Sequence, residues 1–291
     1  MRNIIIDAPF TADAAAAVAL AAARRDVNIV GVAACYGRDV SRTQSEKGLR
    51  GLLEKLGVGV PVAIGAEGPI FDDYRWEGFP EDKPGRRRPE YAWDLIARKA
   101  EEYCGDVEVV AISPLTDVGI YIKKYHDTRR NVKKVTVLGA TKLFGDAASY
   151  SEFNIWADPL AMEILSDSAI PFETYGFDLF GKARFTEGEL GAVSAFIREK
   201  TGMQAPGDFP QINWLDFDVP DFRPVSKTLG MAAWLTPGSC THVRYRAKIE
   251  VVPTEMRGRV IYYDRADLSE VFNAINAEGL DKAAVMKNFT A

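Results

Sequence analysis

Asn3-Ile4-Ile5-Ile6-Asp7-Ala8-Pro9-Phe10-Thr11-Ala12-Asp13-Ala14-Ala15-Ala16-Ala17-Val18-Ala19-Leu20 is the stretch that decides the fold. The isoleucines at 4–6 form a short apolar strand, residues 7–11 a turn, and the alanine-rich run a helix. Thr11 suits the N-cap, and Asp13 falls in the first turn, where the helix dipole favours a carboxylate. The apolar run 14–23 is only about half a membrane span, and Arg24-Arg25-Asp26 ends it. It reads as a buried helix packed closely on a sheet.

Outward from this opening, strands and helices alternate. Short runs rich in β-branched residues lie at 4–6, 29–34, 62–64, 107–112 and 135–138. Helical patterns lie between and after them, at 12–24, 41–56, 92–103, 116–125 and 159–165. Such alternation predicts an α/β fold, a mostly parallel central sheet flanked by helices. Ligands of such sheets sit beyond the carboxyl ends of the strands. The turns after Ile6, at Tyr36-Gly37-Arg38 and at Ile112-Ser113-Pro114 all lie at that edge. Residues 243–252 and 260–264 alternate like a β-hairpin, and 268–275 and 282–288 read as closing helices. The stretch 71–89 reads as a surface loop or flap. The stretch 206–224 carries Phe209, Trp214, Phe217 and Phe222, which either line a ligand mouth or anchor a long loop; anchoring is the commoner use. No repeat or linker divides the chain, so residues 1–291 are read as one domain.

Composition narrows the function. Apolar content of 47% and charged content of 26% are ordinary for a globular protein. A net charge of −5 provides no basic field for nucleic acid. The run Arg86-Arg87-Arg88 reads as a solvated loop. Cys35, Cys104 and Cys240 are odd in number and lack metal-ligand spacing, which points to a reducing, cytoplasmic setting. No signal peptide and no membrane span is legible.

These segments together resemble the inosine-uridine preferring nucleoside hydrolase family, from Ile4 to about Ile275. The opening resembles its D-x-D-P-G-x-D-D-A signature. Val60-Pro61-Val62-Ala63-Ile64-Gly65 resembles V-P-V-x-x-G, and Ile112-Ser113-Pro114-Leu115-Thr116-Asp117 resembles a G-P-L-T-N turn, departing at both ends. Glu152-Phe153-Asn154-Ile155-Trp156-Ala157-Asp158-Pro159 is similar to E-F-N-I-x-x-D-P, and Tyr175-Gly176-Phe177-Asp178-Leu179 to G-x-D-x-T. The resemblance implies the nucleoside hydrolase-like fold with a C-terminal β-hairpin and helices. It also implies a sugar- or nucleoside-like small-molecule ligand and a homo-oligomer.

Residue by residue, the resemblance carries over only in part. Asp13 and Asn154 match residues that contact the ribose hydroxyls. Glu152 matches a glutamate near the 5′-hydroxyl, and Asp146 stands where asparagine often serves that role. Carboxylates and amides suit vicinal hydroxyls; equally, each of these side chains could cap or brace local structure. Arg38 replaces an asparagine near the sugar ring. It is either a surface arginine or a cation that favours an anionic ligand.

The family's calcium ligands do not carry over. Asp7 and Asp13 match the first and third aspartates of the signature, but Pro9 and Ala14 replace the second and fourth, which hold calcium. A late aspartate ligand aligns with Lys227, and the histidine before it with Ser226. Calcium requires six to eight oxygens, so no calcium is expected, and no other cofactor. Lys227 either fills the vacated space and pairs with Asp13, or points to solvent while the cavity collapses around Pro9 and Ala14.

Three functions remain open. One is metal-free cleavage of a ribosyl or nucleoside-like N-glycoside, with Asp13 and Lys227 catalytic and Arg38, Asp146, Glu152 and Asn154 binding substrate; descent favours it. Another is non-hydrolytic chemistry with Lys227 as acid or amine. The last is ligand binding without catalysis. Beside a lysine, Asp13 is expected to have a lowered pKa and to be a weak base. Tyr36, Tyr150 and Lys227 are the candidate acids, since His126 and His242 fall on no family site position. Lys227→Ala is expected to abolish activity without unfolding the protein.

Overall fold

The computed structural model describes residues 1–71, 90–126, 132–214, 216–263 and 272–290. The opening strand, β1 (Arg2–Ala8), lies inside a nine-stranded sheet. On one side it pairs in parallel with β2 (Val27–Ala34), which pairs with the edge strand β3 (Val62–Ile64). On the other side run β4 (Val107–Ala111), β5 (Val132–Val137) and β6 (Phe172–Thr174), all parallel. The order is β10-β9-β11-β6-β5-β4-β1-β2-β3. Here β9 is Cys240–Ile249, β10 is Val260–Tyr263 and β11 is Ala274–Leu280.

β1 shows why the sheet is two-sided. Side chains alternate across a strand, so Ile4 and Ile6 enter one core while Ile5 enters the other. The Ile4–Ile6 face is covered by α1 (Ala12–Ala22), α2 (Arg42–Lys55), α8 (Glu187–Thr201) and α9 (Ser226–Leu235). The Ile5 face is covered by α3 (Ala92–Glu102), α4 (Thr116–Lys124) and α6 (Pro159–Ser166). α1 is buried as its composition predicts, and its small side chains let it pack against α8 and α9 as well as the sheet. Thr11 caps it, accepting the Ala14 amide.

Three departures from the sequence reading are physical. Residues 274–280 form a strand, where 268–275 had read as helical; β11 pairs in parallel with β6 and antiparallel with β9. A seat between two waiting strands outweighs weak local propensity. Residues 264–271 lie outside the described residues, as does most of the expected flap, 72–89. The stretch 206–224 contains a hairpin, β7 (Gln211–Trp214) with β8 (Phe217–Pro220). Its Phe209, Trp214 and Phe222 are buried and Phe217 is exposed, so three of the four aromatics anchor the loop. α8 is a helix that the apolar pattern does not announce, although Thr186 and Glu189 form a capping box at its start. The expected C-terminal hairpin is present as β9–β10, and α10 (Lys282–Met286) closes the chain. No helix among the described residues is long and apolar enough to cross a membrane.

Candidate functional site

The turns at the carboxyl edge of the parallel strands surround a small cavity of about 130 Å³. Asp13, Arg38, Asp146, Glu152, Asn154 and Lys227 all line it, with Pro9, Ala14, Ile112, Phe177 and Arg223 among the other walls. Larger hollows of about 470 and 570 Å³ lie elsewhere, one beside β6 and β11, the other between α4 and α6. The small cavity is the candidate site because titratable groups from distant segments converge on it.

Asp13 is placed by its helix, and it in turn organises another. The first amides of α9 lack an intrahelical partner, and Val225, the N-cap, offers no side-chain bond. Asp13 supplies it across the fold. Its Oδ2 accepts the Lys227 amide at 2.8 Å, and its Oδ1 accepts the Thr228 amide at 2.8 Å and the Thr228 hydroxyl at 2.6 Å. Lys227 therefore meets Asp13 through its main chain. Its ammonium turns to Glu152 Oε1 at 2.5 Å and to the Leu138 carbonyl at 2.9 Å. The expected Asp13–Lys227 ion pair is replaced by Glu152–Lys227, because the helix start claims both Asp13 oxygens.

This arrangement also reverses the expected basicity of Asp13. Burial pushes its carboxyl up to about 6, against the pull of the Thr228 hydroxyl and the Lys227 and Thr228 amides; the Lys227 charge contributes least. Desolvation outweighs the lysine, the reverse of the lowered pKa expected from the sequence.

Glu152 is 1% exposed on its side chain and Lys227 15%. The other Glu152 oxygen accepts the Ala140 amide at 3.2 Å. Ala140 has φ +72°, a left-handed conformation uncommon for a residue with a Cβ; it aims the amide at the carboxylate. Asn154, at the start of α5 (Phe153–Ala157), donates to the Ile112 carbonyl at 2.8 Å. Asp146 accepts the Phe153 amide and pairs with Arg38 at 3.0 Å. Burial and the nearby Glu152 raise its pKa, with Lys227 and Arg38 opposing. The Arg38 guanidinium also lies over the Phe153 ring, 4.4 Å from its centre.

The family's calcium positions have a distinct chemistry here. Pro9 and Ala14 bring no side-chain oxygen, an ammonium stands on the side chain at a third position, and the Ile112 carbonyl is taken by Asn154. The residues present do not fit calcium.

Two of the candidate acids lie elsewhere. Tyr36 is fully buried and bonds Thr116, and Tyr150 is exposed beside Arg259. Lys227 alone of the three lines the cavity. His242 bonds the Tyr175 hydroxyl and His126 is exposed. The sequence reading missed Arg223, which lines the cavity while paired with Asp221 at 2.7 Å; its short spacing from Asp221 was the available signal. It also missed a buried cluster of Asp7, Cys35 and Asp117. The departure of Asp117 from the G-P-L-T-N pattern was the sign.

Known proteins share this architecture. A plant nucleoside hydrolase, PpNRh1, superposes with a TM-score of 0.76 at 18% identity, covering 99% of this chain and 97% of that one. A purine-preferring ribonucleoside hydrolase from Gardnerella vaginalis gives 0.76 at 21% identity, covering 99% and 96%. In sequence, the pyrimidine-specific ribonucleoside hydrolase RihA of Salmonella typhi is 27% identical over 203 residues, 64% of each chain. Probable uridine nucleosidase 1 of Oryza sativa subsp. japonica is 27% identical over 202 residues, 65% of this chain and 62% of its own. The chain thus spans just under two thirds of the length of these curated relatives. Residues 4–287 match the sequence model of one family over almost the whole chain, and the chain belongs to it: the inosine-uridine preferring nucleoside hydrolases.

Proposed function

We propose that this protein cleaves the N-glycosidic bond of a ribosyl or nucleoside-like compound without calcium. One observation carries the reading: Asp13, Asp146, Glu152 and Asn154 converge on a single cavity with a cation, Lys227, at its wall. In this reading Asp13 takes a proton from water. The water oxygen bonds to the anomeric carbon as the carbon–nitrogen bond breaks, through the oxocarbenium-like state that glycosidases share. Lys227, steadied by Glu152 and the Leu138 carbonyl, is the cationic donor facing the departing group. Asn154 and Asp146 orient the sugar hydroxyls, and Arg38 favours a substrate with an anionic group. The cavity's size suits one sugar ring better than a whole nucleoside, since sites for drug-sized ligands are typically about 300–1,000 Å³. Family membership extends the reading to a homo-oligomer, and three free cysteines suit a reducing compartment.

A second reading, ligand binding without turnover, is favoured by the pairing within the site. Arg38 with Asp146, Lys227 with Glu152 and Asn154 with Ile112 already engage one another, so a ligand must displace bonds to enter. The use of Lys227 as a free amine is disfavoured, since its ammonium is spent on two acceptors.

The test is sugar release from a panel of nucleosides, their 5′-phosphates and an activated riboside, in a calcium-selective chelator and again with added calcium. Release at equal rates in both is expected. Release only with calcium refutes the metal-free mechanism. No release in either, with a ribose-dependent melting shift, selects the binding protein.

A further inference from the structure

Beneath the cavity and outside its lining, three strand and helix ends bring Asp7, Cys35 and Asp117 together. Asp7 is on β1, Cys35 follows β2, and Asp117 is in the first turn of α4. All three are fully buried. One ligand atom from each lies within 4.8 Å of the other two. Neither Asp7 oxygen has a hydrogen-bond partner, and neither has Asp117 Oδ2. Asp117 Oδ1 accepts the Ala66 amide at 2.7 Å. Ser113 supplies an independent observation. Its hydroxyl is wholly buried, is directed at Asp7 and Cys35, and has no hydrogen-bond partner outside this cluster.

Adjacent carboxylates in a dry interior require a compensating charge. Arg42 acts on Asp117, but its guanidinium donates to the Gly65 carbonyl and pairs with Glu67. One shared proton would join a single Asp7 oxygen to Asp117 and leave the other with no donor but the Ser113 hydroxyl. A divalent cation engages both carboxylates at once. The thiol selects its kind, because sulfur favours zinc-like ions over calcium or magnesium. Bonds of about 2.0–2.2 Å to oxygen and about 2.3 Å to sulfur suit a cluster of this span.

We propose that Asp7, Cys35 and Asp117 form a buried site for a thiophilic divalent cation of the Zn2+ class, with the Ser113 hydroxyl as fourth donor. The site is separate from the family's calcium positions, since Pro9, Ala14 and Lys227 take no part in it. It is independent of the reaction proposed above. Its role is structural: it ties the carboxyl ends of β1 and β2 to the start of α4, directly under the catalytic edge. Binding releases the Cys35 thiol proton and any proton held between the carboxyl groups.

The test is Co2+ loading of the full chain, read by metal analysis and by the thiolate-to-cobalt charge-transfer absorption. One equivalent of Co2+ with that band is expected, together with a higher melting temperature. The band should persist in Cys104→Ser/Cys240→Ser, which keeps only Cys35, and disappear in Cys35→Ser. Folded wild-type protein that takes up less than stoichiometric metal, or shows no thiolate band, overturns the proposal and leaves a proton-sharing pair. So does a band lost when Cys104 and Cys240 are replaced.

Discussion

Replacing Lys227 by methionine should cost stability as well as activity, where the sequence led to the expectation that Lys227→Ala abolishes activity without unfolding the protein. Its ammonium bonds Glu152 at 2.5 Å and the Leu138 carbonyl at 2.9 Å. Glu152 is 1% exposed, so little water reaches its charge once the lysine is gone. The Ala140 amide remains its one hydrogen-bond donor among the described residues. Breaking a buried pair from one side typically costs about 3–5 kcal/mol, because the surviving charge is left uncompensated. For a chain of 291 residues that corresponds to a fall of roughly 5–8 °C in melting temperature. Lys227→Met keeps the side-chain length and the main-chain amide that binds Asp13, so helix α9 stays capped. Urea titration of the wild type, Lys227→Met, Glu152→Gln and the double variant forms a double-mutant cycle. The pair should show a coupling of about 1–3 kcal/mol, with the double variant more stable than the sum of the singles predicts. A single variant that melts within about 1 °C of wild type, or singles that simply add, would refute the reasoning.

Asp13 should set the acid limb of activity. With its carboxyl at about 6, the base is formed as pH rises through that value, so hydrolysis should climb there and level off above it. The stability contribution runs the other way: a folded pKa raised from 3.8 gives stability that is present below 3.8 and lost as pH rises through about 6. Asp13→Asn should flatten both profiles, and a wild-type kcat/KM profile flat across that range would remove Asp13 as the base. Gly181→Ala should loosen the β7–β8 hairpin, because a Cβ there would stand 2.1 Å from the Trp214 ring. The expected loss is about 1–3 kcal/mol in a urea titration; an unchanged midpoint would mean that Trp214 does not pack on α7 (Phe177–Ala183) as described.

The sequence alone determined the parallel strands β1 to β5 and pointed to six residues that line one cavity. Short β-branched runs alternating with helical patterns leave few arrangements besides a parallel sheet, and the ends of five expected strands lie within three residues of where the pattern put them. Asp13, Glu152 and Asn154 were legible because each sits in a motif of local spacing, and Arg38, Asp146 and Lys227 by their alignment with positions of the family. Their partners were not. Asp13 caps a helix 214 residues away and Lys227 reaches back to Glu152 across 75, and no local pattern encodes which donor wins a carboxylate. The sequence put a lysine beside Asp13 and implied a lowered pKa; the tertiary structure gave the main chain to Asp13, the ammonium to Glu152, and burial enough to raise the pKa instead. Likewise β11 had no strong strand signature of its own, and became one because β6 and β9 offered it hydrogen bonds on both sides. Periodicity and capping are properties of neighbours along the chain, whereas charge pairing, desolvation and the last strand of a sheet depend on neighbours that only folding supplies.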